Sequence, residues 1–143
     1  MKTFSKNIFA PLALAVFVGA GSASAADMTA TIINNSTETA NLTTSNYGPD
    51  SPIDPGQSGT GVYTTGSNPN VTANATYRSE VSNLGCFFTA QAVYNSQRAR
   101  YTFSSAAQRV GVSGGVQATC TSQITSSNST TGNFNVTYRI SGF

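Results

Sequence analysis

The sequence predicts an all-β fold, an antiparallel β-sandwich of roughly eight strands with one disulfide. Three observations predict it. Apolar residues recur at every second position, the period of a half-buried strand rather than of a helix. Thr, Val, Tyr and Phe fill those runs, and such side chains suit a pleated surface. Clusters of Gly, Pro, Asn, Asp and Ser break the runs at intervals of about 10–15 residues, as the short strands of a sandwich require.

A leader precedes the first strand. Lys2 and Lys6 are followed by an apolar stretch over residues 8–19, interrupted by Pro11, and Ala23-Ser24-Ala25 has the small-x-small pattern of a cleavage site. The expectation is a signal peptide over residues 1–25, compact in the bacterial manner, and a single domain over residues 26–143. The apolar stretch falls short of the ~20 residues that a membrane span needs. Membrane contact is therefore expected to be peripheral, not integral, and the destination to be the periplasm, the cell surface or the outside.

The strands follow in order. Residues 28–34 alternate through Met28, Ala30 and Ile32 and end at the turn Asn34-Asn35-Ser36. Residues 39–44 form a second candidate, closed by Tyr47-Gly48-Pro49 and by Asp54-Pro55-Gly56. Residues 61–65 form a third, before Gly66-Ser67-Asn68-Pro69, and residues 71–77 a fourth. Cys86, Phe88, Ala90, Ala92 and Tyr94 line one face of a fifth, and Tyr101 and Phe103 alternate with Arg100 and Thr102 in a sixth. Residues 104–109 are the one segment that suits a helix, and a short one. Val110, Val112, Gly114, Val116, Ala118 and Cys120 form the next alternating run, and residues 126–132 read as loop. Phe134, Val136, Tyr138 and Ile140 make the last and clearest strand.

Gly114-Gly115 sits badly inside its run, and two readings stay open. Glycine in a strand marks a bulge or bend, so one kinked ribbon would serve both sheets. Alternatively, Ser113-Gly114-Gly115 is a hairpin turn between two strands.

Cys86 and Cys120 are the only cysteines. In an exported chain they are expected to pair. Closing a loop of about 35 residues would add ~3–4 kcal/mol on the chain-entropy model. A reactive thiol or a metal ligand is the alternative, but neither cysteine has a histidine to work with and no CxxC spacing occurs.

Composition limits the chemistry more sharply than any motif. From Ala26 on there is no His, Lys or Trp, and Ser, Thr and Asn occupy 47 of 118 positions. Arg78, Arg98, Arg100, Arg109 and Arg139 balance Asp27, Glu38, Asp50, Asp54 and Glu80, so the net charge of this part is near zero. Five scattered arginines do not supply the counterion release that nucleic-acid binding draws on. A serine nucleophile lacks its usual base, since no His or Lys is present from Ala26 on. Asp50 and Asp54 lack the dense oxygen spacing of a calcium loop. Glu38 and Glu80 form a carboxylate pair of the glycosidase kind only if the fold joins them, and nothing in the spacing selects them. No catalytic residue, cofactor or metal is expected. Seven Asn-x-Ser/Thr sequons, at Asn34, Asn35, Asn41, Asn70, Asn74, Asn128 and Asn135, follow from the Thr- and Asn-rich composition.

Candidates for binding remain. Tyr47 and Tyr63 lie beside Gly-rich loops and offer an apolar body with a polar tip, suited to a neutral polar surface. Arg98 and Arg100 would share one strand face opposite Tyr101, where they contact an anionic partner or simply guard a sheet edge. Thr31-Ile32-Ile33-Asn34-Asn35-Ser36, followed by Pro52-Ile53-Asp54-Pro55-Gly56, resembles the start of the aegerolysins, small secreted β-sandwiches, and that resemblance implies lipid binding. Aegerolysins are rich in Trp, which is absent here. Residues 134–140 resemble the closing strand of a chaperone-usher pilin, although the cysteine spacing differs from the pilin pattern. No residue role carries over from either. The expected function is that of an exported, non-enzymatic cell-surface, fimbrial or matrix component, or a module binding glycan or protein. The alternatives are a lipid-binding protein and an inhibitor of a secreted enzyme.

Overall fold

The structure, a computed structural model, describes residues 25–111 and 114–143. The leader expected over residues 1–25 lies, apart from Ala25, outside the described residues. Eight strands are present: β1 (Asp27–Asn34), β2 (Asn41–Ser45), β3 (Ser58–Thr64), β4 (Val71–Arg78), β5 (Gly85–Asn95), β6 (Arg100–Val110), β7 (Thr119–Ser127) and β8 (Phe134–Ser141). They form two four-stranded sheets, ordered β3-β1-β8-β7 and β2-β4-β5-β6. The Cys86–Cys120 disulfide ties β5 to β7 and so joins the sheets. It fits an oxidising, non-cytosolic compartment. No helix among the described residues is long and apolar enough to cross a membrane.

Every pairing is antiparallel except β1 against β8, which run parallel with Met28 opposite Phe134 and Asn34 opposite Ile140. The alternation read from the sequence becomes the core. Met28, Ala30 and Ile32 of β1 are fully buried, as are Val71, Ala73, Ala75 and Tyr77 of β4 and Cys86, Phe88, Ala90 and Ala92 of β5. The alanines leave room for the bulky side chains of the facing sheet, since a close-packed interior pairs large with small. Phe88 of β5 stacks on Tyr138 of β8 with ring centroids 4.5 Å apart and joins the layers.

Three segments differ from expectation. Residues 104–109 are strand, within β6, because Tyr101 and Phe103 continue into the half-buried Ser105 and Ala107 with the same period of two. The run from Val110 to Cys120 is not a strand. Val110 ends β6, Cys120 belongs to β7, and Gly114 and Gly115 take positive φ values of 57° and 81° in a turn between them. Val112 and Ser113 lie outside the described residues. β6 and β7 are two separate strands rather than one kinked ribbon, and because they belong to different sheets the turn between them does not close a hairpin of paired strands. β7 instead extends to Ser127, into a stretch that reads as loop.

Strand directions give the molecule two poles. Take the upper pole as the end where β1 finishes. The registers bring β2 and β3 both downward, β4 up, β5 down, β6 up, β7 down and β8 up. Residues 46–57 therefore carry the chain from the bottom of β2 back to the top of β3. They seal that side of the sandwich as they climb. Ile53 and Ala40 exchange two backbone hydrogen bonds of 2.9 Å, and Asp50 N–H donates to the Thr60 carbonyl at 2.8 Å. On β3 the inward positions opposite this segment are Gly59 and Gly61. A Cβ at Gly61 would come within 2.5 Å of Pro49 Cβ and 2.7 Å of the Tyr47 ring.

Candidate functional site

The four expected contact residues do not form one site. Tyr47 and Tyr63 are half-buried and pack edge to face at 6.4 Å, against the core. They belong to the seal over the β2 and β3 side, not to a rim. Burial pushes the Tyr47 hydroxyl well above the ordinary tyrosine range. Arg98 is not on a strand face; it lies in the turn joining β5 to β6, where its N–H donates to Asn95 Oδ1 at 3.0 Å. Arg100 opens β6, and both arginines are exposed. The pairs are separated because β2 and β6 are opposite edges of one sheet.

The most organised polar cluster is at the upper pole, and it is built from Asn34. This residue ends β1 fully buried. Its amide donates to the carbonyls of Glu38 and Ile53, both at 2.8 Å, and its Oδ1 accepts from the Ser36 N–H at 3.0 Å and from the Ser36 hydroxyl. A buried amide with its donors and acceptor all used fixes the backbone around it. It holds the β1–β2 loop so that the Glu38 side chain reaches the β4–β5 loop. There the Glu38 carboxylate accepts from the hydroxyls of Ser79 and of Ser82, the latter at 2.8 Å. Ser79 Oγ in turn accepts from the N–H groups of Val81 (3.0 Å) and Ser82 (3.2 Å).

Two depressions flank this carboxylate. One, of about 420 Å³, runs from Glu38 and Ser82 to Leu84, Val116 and Phe143. The other, of about 470 Å³, places Glu38 with Glu80, Val81, Pro52 and Pro55. Val81 is 85% exposed and Val116 55% exposed, so each depression has an apolar lip. The fold thus brings Glu38 and Glu80 to one depression. The hydrogen bonds from Ser79 and Ser82 lower the Glu38 pKa below its ordinary value. A carboxylate stabilised in its charged form is a hydrogen-bond acceptor and anionic anchor, unsuited to donating a proton.

Asp50 and Asp54 serve loops. Asp50 Oδ2 accepts from the Thr60 N–H at 2.8 Å, and Asp54 Oδ1 accepts from the Thr39 hydroxyl at 3.0 Å. Among the described residues no three His, Cys, Asp or Glu side chains converge where they would hold a metal ion. Strand periodicity does not point to the upper-pole cluster, since Glu38, Ser79 and Ser82 all lie in loops. The available signal is that the loops at 35–40 and 79–84 are hydroxyl-rich and each contains an acid. No protein-family model matches the chain, and neither does any curated protein.

Proposed function

We propose that this is an exported, non-enzymatic module that grips a protein or glycan surface, as a cell-surface, fimbrial or matrix component. One observation carries the reading. The best-organised charged group, Glu38, is clamped by two serine hydroxyls between apolar lips, an arrangement that holds a partner rather than turning over a substrate. The reading puts the contact at the loops, since the outer face of the β3-β1-β8-β7 sheet, with Thr29, Thr31, Thr60, Asn135 and Thr137 beside the exposed Val62 and Arg139, offers no comparably organised group. Any assembly of copies uses loops or edges, because β8 already fills its own sheet between β1 and β7 and leaves no slot there for a donated strand.

The test displays the chain from Ala26 on against a glycan array and against purified envelope and matrix proteins. We expect retention that weakens about tenfold, some 1.4 kcal/mol, in Val81→Asp or Val116→Asp while the melting temperature is unchanged. No retention, retention indifferent to both changes, or substrate turnover abolished by Glu38→Gln would each overturn the reading.

A further inference from the structure

Opposite the Glu38 cluster, at the lower pole, the β5–β6 hairpin tip projects Arg98 and Arg100 within the segment Asn95-Ser96-Gln97-Arg98-Ala99-Arg100, which contains no acid. The tip is exposed throughout, and Val93 beside it is 47% exposed. At the upper pole, Glu38 and Glu80 share a depression whose lip is the exposed Val81. Of the arginines nearer the upper pole, Arg78 donates to the Asn83 carbonyl and Oδ1 at 3.2 Å each, Arg109 donates to Gln117, and Arg139 projects from the outer face of β8 rather than into the depression. The hairpin tip therefore presents two cations with a small apolar shoulder, and the upper-pole depression two carboxylates with an apolar lip. The eleven residues of β5 separate them, a span of about 35 Å at ~3.3 Å per residue.

We infer that the occupant of the Glu38–Glu80 depression is the Arg98–Arg100 hairpin of a second copy of this chain, giving head-to-tail assembly. This rests on the proposed building role and names its partner. Two different patches meet in such a contact, so it is heterologous, and it extends into a filament unless its rotation closes a ring. Guanidinium groups suit it because they bind carboxylates in a planar, two-pronged geometry. The contact is electrostatic and exposed at its rim, so it weakens as salt rises.

The test uses sedimentation velocity on the chain from Ala26 on at low salt. The wild type should form concentration-dependent oligomers that shrink between ~20 and ~300 mM salt. The donor variant Arg98→Glu/Arg100→Glu and the acceptor variant Glu38→Gln/Glu80→Lys should each stay monomeric. Mixed together they should form one-to-one pairs and stop, because each retains one working pole. If Glu38→Gln disturbs folding, as circular dichroism would show, Glu80→Lys alone replaces it. A wild type that is monomeric up to ~1 mM, the weak end of measurable affinity, overturns the inference. So does a donor or acceptor variant that assembles like wild type, or a mixture that does not pair. Array retention alongside a monomeric wild type would remove the self-assembly and leave the binding role standing.

Discussion

The hydroxyls of Tyr47, Tyr77 and Tyr138 are buried in the sandwich, and they differ in what they touch. Tyr77 donates to the Asp50 carbonyl at 2.7 Å and so pins the sealing segment to β4. The hydroxyls of Tyr47 and Tyr138 meet no protein partner. Removing one partner of a made hydrogen bond costs about 1 kcal/mol, whereas deleting an unpaired buried group costs little or stabilises. Urea unfolding should therefore show Tyr77→Phe destabilised by roughly 1 kcal/mol and Tyr138→Phe unchanged or more stable. The reverse order would contradict these contacts. At the same scale, Asn34 heads one of the seven sequons, yet its amide is fully buried and bonded. A glycan there would break the loop that presents Glu38.

Among the elements, the sealing segment over residues 46–57 matters most. Valine at Gly61 would push a side chain into Pro49 and Tyr47, where even a Cβ comes within 2.5 and 2.7 Å. Gly61→Val should cost roughly 1–3 kcal/mol, the usual range for overpacking, and should raise amide exchange at Asp50 and Ile53. An unchanged stability would mean that the segment does not lie on β3. This element also marks where the sequence stopped being legible. The strands with a bulky buried face, such as Met28-Ala30-Ile32 and Phe134-Val136-Tyr138-Ile140, were readable because water and core impose a period of two on them. β7 was not, because its exposed face is Thr and Gln and its inward face carries only Cys120, Ser122 and Ile124, too little bulk to stand out. The Glu38 cluster escaped for a different reason. A simple up-and-down chain would put the loops at 35–40 and 79–84 at opposite ends. The long return over residues 46–57 makes β2 and β3 run the same way, and only then do Glu38 and Ser79 meet. The separation of Arg98 and Arg100 from Tyr47 and Tyr63 has the same origin, since sheet order is set by pairings that local pattern does not specify.

Taken whole, the described residues form a two-sheet body of near-zero net charge, with a carboxylate cluster at one pole and an arginine pair at the other. Its stability should be flat through neutrality, because no His is present from Ala26 on. Burial raises the hydroxyl pKa of Tyr47, Tyr77 and Tyr138. Their unfolded counterparts ionise near pH ~10, so the unfolded state sheds protons first and stability falls as pH rises beyond that value. Glu38 acts at the other limit. Its native pKa is lowered, so its contribution is present above the ordinary carboxylate range and is lost as pH falls through the native value. Chemical unfolding between pH ~5 and ~9 should give a plateau, and a steep slope inside that window would contradict this charge inventory. Function at the poles, with the sheets as scaffold, is most directly examined by an NMR concentration series on the labelled chain from Ala26 on at low salt. We expect amide shifts confined to residues 36–39, 79–83 and 116 at one pole and 96–100 at the other, with the outward residues of β1 and β8 still. Shifts centred on the sheet faces, or at one pole alone, would contradict it.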